Sequence, residues 1–123
     1  MKVLIIKTNG SIASVQVFAQ KNNEISYNDI RKLVTSNADM LYAPKISRLA
    51  YLYVLFVEKG TDHQVNPVAT FLAGGETLIK GDAVLVRTNH LGGGAKIIAL
   101  EDAEITKIAE YVEKVRKKLT QQT

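Results

Sequence analysis

Cysteine and tryptophan are absent from this 123-residue sequence, and proline and histidine each occur only twice. Without cysteine there is no disulfide framework, no thiol nucleophile and no cysteine-ligated zinc or iron–sulfur site, so a reducing, cytoplasmic setting is expected. Long apolar runs are also missing. The longest, Leu49 to Val57, falls far short of the ~20 residues that a membrane-spanning helix needs. The amino terminus has no signal-peptide pattern, so neither secretion nor membrane insertion is expected. What is present is ordinary: 46% hydrophobic and 23% charged positions describe one globular domain. A chain of this size buries roughly 65–70% of the surface it exposes when unfolded and needs no covalent staple.

The formal net charge is +4. In the stretch 101–118, five acids (Glu101, Asp102, Glu104, Glu110, Glu113) balance five bases (Lys107, Lys114, Arg116, Lys117, Lys118). Acids lead and bases follow, which complements a helix macrodipole. The surplus therefore belongs to residues 1–100. It favours anionic partners such as phosphates, and it is equally within the range that keeps a small domain soluble.

Hydrophobic patterning orders the elements. Lys2 to Ala19 reads as a β-hairpin turned at Asn9-Gly10. Ser26, three residues before Asp29, caps a short helix over about residues 27–36. A brief strand over 39–43 ends at Pro44, and Ala50 to Glu58, apolar on both faces, reads as a central strand. Asn66-Pro67 starts a two-turn helix, with asparagine as cap and proline at the first position. Ala83 to Thr88 is a β-branched strand. Ile97-Ile98 is a short apolar run, and Ile105, Ile108, Val112, Val115 and Leu119 recur at helical spacing from about Asp102. That stripe must face a sheet or another subunit. The expectation is an α+β domain over residues 1–119, with a mostly antiparallel sheet of about five strands, helices packed on one face and a long C-terminal helix. Residues 120–123 are expected to fray.

Chemistry-bearing residues are sparse. Gly92, Gly93 and Gly94, between Arg87, Thr88, Asn89, His90 and Lys96, could turn successive backbone N–H groups toward a phosphate while Arg87 and Lys96 neutralise it. The run matches neither a Walker loop nor a dinucleotide fingerprint, and a plain connecting loop would look the same. Tyr42, Tyr51 and Tyr53 lie near Lys45 and Arg48. Aromatic rings beside cations can stack a base, and tyrosines in strands are also common packing residues. His63 and His90 lack a third ligand at metal spacing, so no metal or other cofactor is expected. No serine sits in a nucleophile elbow, which leaves no hydrolase triad to argue. A catalytic constellation is not visible.

The opening Met1 to Lys7, the loop Glu58-Lys59-Gly60, the segment Asn66-Pro67-Val68-Ala69-Thr70-Phe71-Leu72-Ala73, the run Ile79-Lys80-Gly81-Asp82-Ala83-Val84-Leu85-Val86 and the lead Leu100 to Ile105 resemble a family of small domains without an assigned function. That family is associated with bacteriophages, plasmids and their bacterial hosts. Its core is Asn-Pro-x-Ala-Thr followed by an apolar-Gly-Asp-apolar run. The insertion around Lys21 to Asn37 and the extended basic helix end depart from the pattern. The resemblance transfers no catalytic residue. It implies a phage-type protein in the bacterial cytoplasm that binds something of the host, for example by sequestering a nucleotide immune signal, an analogy of lifestyle rather than of fold.

The expected function is thus non-enzymatic binding of a phosphorylated small molecule or nucleotide. Its site would comprise Gly92, Gly93, Gly94, Arg87, Thr88, Asn89, His90 and Lys96, with Tyr51 or Tyr53 stacking on a base, and the protein is expected to be a homo-oligomer. The alternative is an accessory domain that contacts a host protein, or less readily a nucleic acid, through Lys45 and Arg48 or the C-terminal helix.

Overall fold

The structure is a computed structural model that describes residues 2–17, 23–34, 38–47, 51–58, 64–89 and 96–121. In chain order the elements are β1 (Lys2–Ile6), β2 (Ile12–Gln16), β3 (Glu24–Ile25), α1 (Tyr27–Leu33), β4 (Ala38–Tyr42), β5 (Leu52–Glu58), α2 (Pro67–Leu72), β6 (Ala83–Thr88), β7 (Ile97–Ile98) and α3 (Asp102–Gln121). The strands pair antiparallel in the order β2-β1-β6-β5-β4, and β7 joins β6 to β3. This is the α+β arrangement read from the sequence, except that the helices cover both faces of the sheet and not one, as central strands apolar on both sides require.

The central strands are apolar on both faces because both faces are covered. On one, Leu4, Ile6, Tyr53, Leu55, Val57 and Leu85 pack with Val68 and Leu72 of α2 and with Ile108, Val112 and Val115 of α3. The helical stripe of α3 therefore faces the sheet. On the other face Val3, Val54, Phe56, Val84 and Val86 pack with Ile25, Ile30, Ile97 and Ala99, so α1 lies opposite α2 and α3. Burying a side chain of the Leu, Ile or Phe class stabilises by about 1.5–3 kcal/mol, which makes these two clusters the main source of stability.

Local signals set the ends of the elements. The Ser26 hydroxyl accepts the Asp29 N–H at 3.2 Å and starts α1. The turn between β1 and β2 needs Gly10, whose φ is +86° and whose missing Cβ leaves room for the Arg116 stem: an added methyl would lie 2.7 Å from Arg116 Cδ. Thr120 and Gln121, within the stretch expected to fray, are helical, and the Thr120 hydroxyl donates to the Arg116 carbonyl at 2.9 Å. β3 follows the polar break at 21–23 unannounced, because a two-residue strand has no periodicity to read. No helix among the described residues is long and apolar enough to cross a membrane.

Candidate functional site

Two polar clusters sit at opposite ends of the sheet. At the first, Asn66 is wholly buried. Its Nδ2 donates to the carbonyls of Ile6 at 2.9 Å and Gly81 at 3.0 Å, while its Oδ1 accepts the Ala69 N–H at 3.0 Å. One side chain thereby caps α2 and ties it both to the end of β1 and to the turn before β6. Thr70 Oγ1 accepts the Ile79 N–H at 2.9 Å, and Asp82 Oδ1 accepts the Thr8 N–H at 3.3 Å. Gly81, with φ of +82°, makes the turn that presents its carbonyl to Asn66. Asn-Pro-x-Ala-Thr and the Gly-Asp run are two halves of one fold latch, with their polar atoms spent on backbone.

At the other end, the register places Leu52 opposite Thr88 and Thr88 opposite Ile97, which gathers the start of β5, the end of β6 and the start of β7. Arg87 lies with its guanidinium carbon 4.1 Å from the centroid of the Tyr51 ring. Tyr51 is 49% exposed, whereas Tyr53 is 1% exposed. Thr88 Oγ1 donates to the Lys96 carbonyl at 3.0 Å, and the Lys96 N–H donates to Asn89 Oδ1 at 2.8 Å. These two bonds pin together the residues flanking the segment 90–95.

Beside Arg87 lies a carboxylate from the start of α3 that its sequence position marks only as a helix-dipole acid. Glu104 is 6% exposed. Its Oε2 accepts the Tyr53 hydroxyl at 2.8 Å, its Oε1 accepts the Glu101 N–H at 2.7 Å, and Arg87 Nη1 lies 3.6 Å from Oε1. As the third residue of α3 it closes half of a capping box and anchors the helix start to the sheet. The Glu-x-x-Glu spacing at the helix start was the available signal. Burial, reinforced by the Glu104 carboxylate that holds its proton, pushes the Tyr53 phenol well above its ordinary value. Tyr53 is thus a buried donor, not a platform.

Of the predicted site residues, Arg87, Thr88, Asn89, Lys96 and Tyr51 converge at this end of the sheet. His90, Gly92, Gly93 and Gly94 lie outside the described residues, as do His63 and Arg48. Lys45 sits 5.9 Å from the Phe71 ring centroid. Each cation of the cluster has an acid nearby, Glu104 for Arg87 and Glu24, 3.9 Å from Lys96 Nζ, for Lys96. Arg87 therefore serves as the backing of an aromatic ring more than as a free phosphate clamp. Lys96 Nζ, on a 60% exposed side chain, is the cation that solvent-borne anions can reach. Among the described residues, no three His, Cys, Asp or Glu side chains group to hold a metal ion. Two open clefts, of about 390 and 480 Å³, flank Thr8 at the latch end, and none of the predicted residues is among those lining them. No family model, no curated protein and no solved structure matches the chain.

Proposed function

We propose that this chain is a non-enzymatic binding module for a phosphorylated small molecule of nucleotide type, held where β5, β6 and β7 meet. The observation that carries this reading is the half-exposed Tyr51 ring backed at 4.1 Å by the Arg87 guanidinium. A ring held flat by a cation offers an aromatic base a pre-ordered stacking surface, and the positive charge behind it favours an anionic ligand. Lys96, pinned to Asn89 at the same end of the sheet through its backbone, supplies the ammonium for a phosphate. Glu24 competes for that ammonium, so the anion affinity of the resting site is held down. The likeness of the latch segments to the phage- and plasmid-associated family belongs to this proposal and directs the choice of ligands to nucleotide immune signals, which the protein would sequester.

Thermal denaturation against cyclic dinucleotides, cyclic ADP-ribose isomers and adenine nucleotides tests the reading. A ligand at 100 times its Kd adds about 2.7 kcal/mol to stability, enough to raise the melting temperature by several degrees. The expected pattern is a saturable rise that Tyr51→Ala and Lys96→Ala abolish and Glu24→Gln enlarges. The same flat melting temperature across all these ligands at millimolar concentration overturns the proposal.

A further inference from the structure

The two edges of the sheet differ in a way that points to a partner. On β2, the Lys7 N–H donates to the Ser11 carbonyl at 2.8 Å, so alternation directs the backbone groups of Ile12, Ser14 and Gln16 away from β1. Ser14 and Gln16 are exposed there, and a polar, hydrated edge results. On β4, the Ala43 N–H donates to the Tyr53 carbonyl at 3.0 Å. The same alternation turns the backbone N–H and C=O of Asp39 and Leu41 toward β5 and those of Met40 and Tyr42 outward. Among the described residues β5 is the only strand that pairs with β4.

The side chains at that edge are apolar. Met40 and Tyr42 are 41% and 40% exposed, and their cross-strand partners are Phe56 and Val54. Tyr27, 46% exposed, stands edge-on to Phe56 with centroids 5.7 Å apart. The outward groups of Met40 and Tyr42 lie between Asp39 and Pro44, and over residues 40–43 the edge carries none of the charges or prolines by which an edge is ordinarily protected.

We propose that β4 is the contact for a second copy of this chain, the two β4 strands pairing antiparallel about a two-fold axis at Leu41. This register makes the Met40–Tyr42 pairs the hydrogen-bonded ones, as the outward backbone groups require, and forms each pair twice. Thioether sulfur against an aromatic ring is a favourable contact, and Leu41 meets Leu41 on the other face. Charge selects the direction. Asp39 stands near the start of β4 and Lys45 just past its end, so an antiparallel partner brings each toward its opposite, while a parallel partner would set Asp39 beside Asp39. The contact is independent of any ligand at Tyr51.

Sedimentation equilibrium over about 1–300 μM, the range in which interfaces of modest area dissociate, reads the dimer directly. The wild type should show reversible doubling of mass. Met40→Lys should shift the midpoint at least tenfold toward the monomer. Met40→Pro removes an outward N–H and no bond to β5, and should do the same with an unchanged far-ultraviolet spectrum; Tyr42→Lys replaces it if the proline variant does not fold. Lys45→Glu should weaken association at low salt, and adding Asp39→Lys should restore it. A wild type that stays monomeric throughout, including one that pairs only with an extended segment of another protein, overturns the proposal. So does a dimer indifferent to folded Met40→Lys and Tyr42→Lys, or a double charge swap that associates no better than Lys45→Glu alone.

Discussion

The two ends of the sheet use much the same polar residue types and put them to opposite ends. Where β1 finishes and β6 begins, Asn66, Thr70 and Asp82 each bond to backbone groups of other segments, and Asn66 is sealed from solvent. Where β6 finishes and β7 begins, Thr88 and Asn89 bond to the backbone of Lys96, whose side chain is exposed, near a half-exposed tyrosine. The difference teaches that the most motif-like part of this sequence spends its central polar side chain, Asn66, on the fold and not on a ligand. A buried polar group must be satisfied internally, so such positions tolerate few residue types for reasons of folding alone.

The comparison breaks most sharply at Asn66. Asn66→Ala removes the helix cap and leaves the carbonyls of Ile6 and Gly81 without their buried donor. A loss of about 3 kcal/mol is expected, from a cap worth about 1 and unsatisfied acceptors worth at least as much again. Urea denaturation should register it as a lower midpoint with an unchanged slope, and any ligand response at the other end should survive in the folded fraction. Asn66→Asp keeps the cap acceptor yet loses both donations and buries a carboxylate against carbonyls, so it should do no better. A cost under about 1 kcal/mol in both variants would show that the latch is not what holds α2.

A smaller effect separates the buried tyrosine from its exposed neighbour. Tyr53→Phe deletes the hydrogen bond to Glu104 and should cost about 1–2 kcal/mol at neutral pH. The sign of its pH dependence follows from the raised phenol. The folded state keeps a proton that the unfolded chain releases near pH 10, so this contribution is complete below that pH and is lost as pH rises from there toward the higher folded-state value. Wild type should lose about 1.4 kcal/mol of stability per pH unit above pH 10 from this group, and the phenylalanine variant should lack that component. Denaturation curves at pH 7, 9 and 11 should therefore converge for the two proteins at the alkaline end. Parallel curves would mean that Tyr53 titrates alike in both states.

How far the sequence was readable follows the range of each interaction. Ser26 and Asn66 are helix caps, and Pro67 takes the first position of α2, because those signals act within one turn. The strands β5 and β6 and the stripe of α3 were visible as runs and periodicities. Asn66's other bonds reach Ile6 and Gly81, 60 and 15 residues away, and no local pattern announces them. Glu104 was legible as an acid at a helix start, but its meeting with Tyr53 and Arg87 depends on where α3 docks on the sheet. Tyr51 and Tyr53 are two apart and looked equivalent. Only Tyr53 lies within β5, under Glu104, whereas Tyr51 precedes the strand and keeps half its surface in solvent.

That last distinction gives the smallest effect on folding and the most telling one on function. Tyr51→Ala removes a ring whose contact with Arg87 is worth about 0.5–1 kcal/mol at a site this exposed, so the melting temperature should fall by no more than a few degrees. Arg87 keeps its position through Glu104, which confines the damage to the stacking surface. If the platform reading holds, the rise in melting temperature produced by an adenine or cyclic nucleotide should vanish in Tyr51→Ala and persist in Tyr51→Phe, which preserves the ring. Retention of the full shift in Tyr51→Ala would detach the ligand from this end of the sheet and direct attention to the clefts beside Thr8. A larger fall in stability than Tyr53→Phe causes would reverse the comparison itself, making the exposed tyrosine the structural one of the pair.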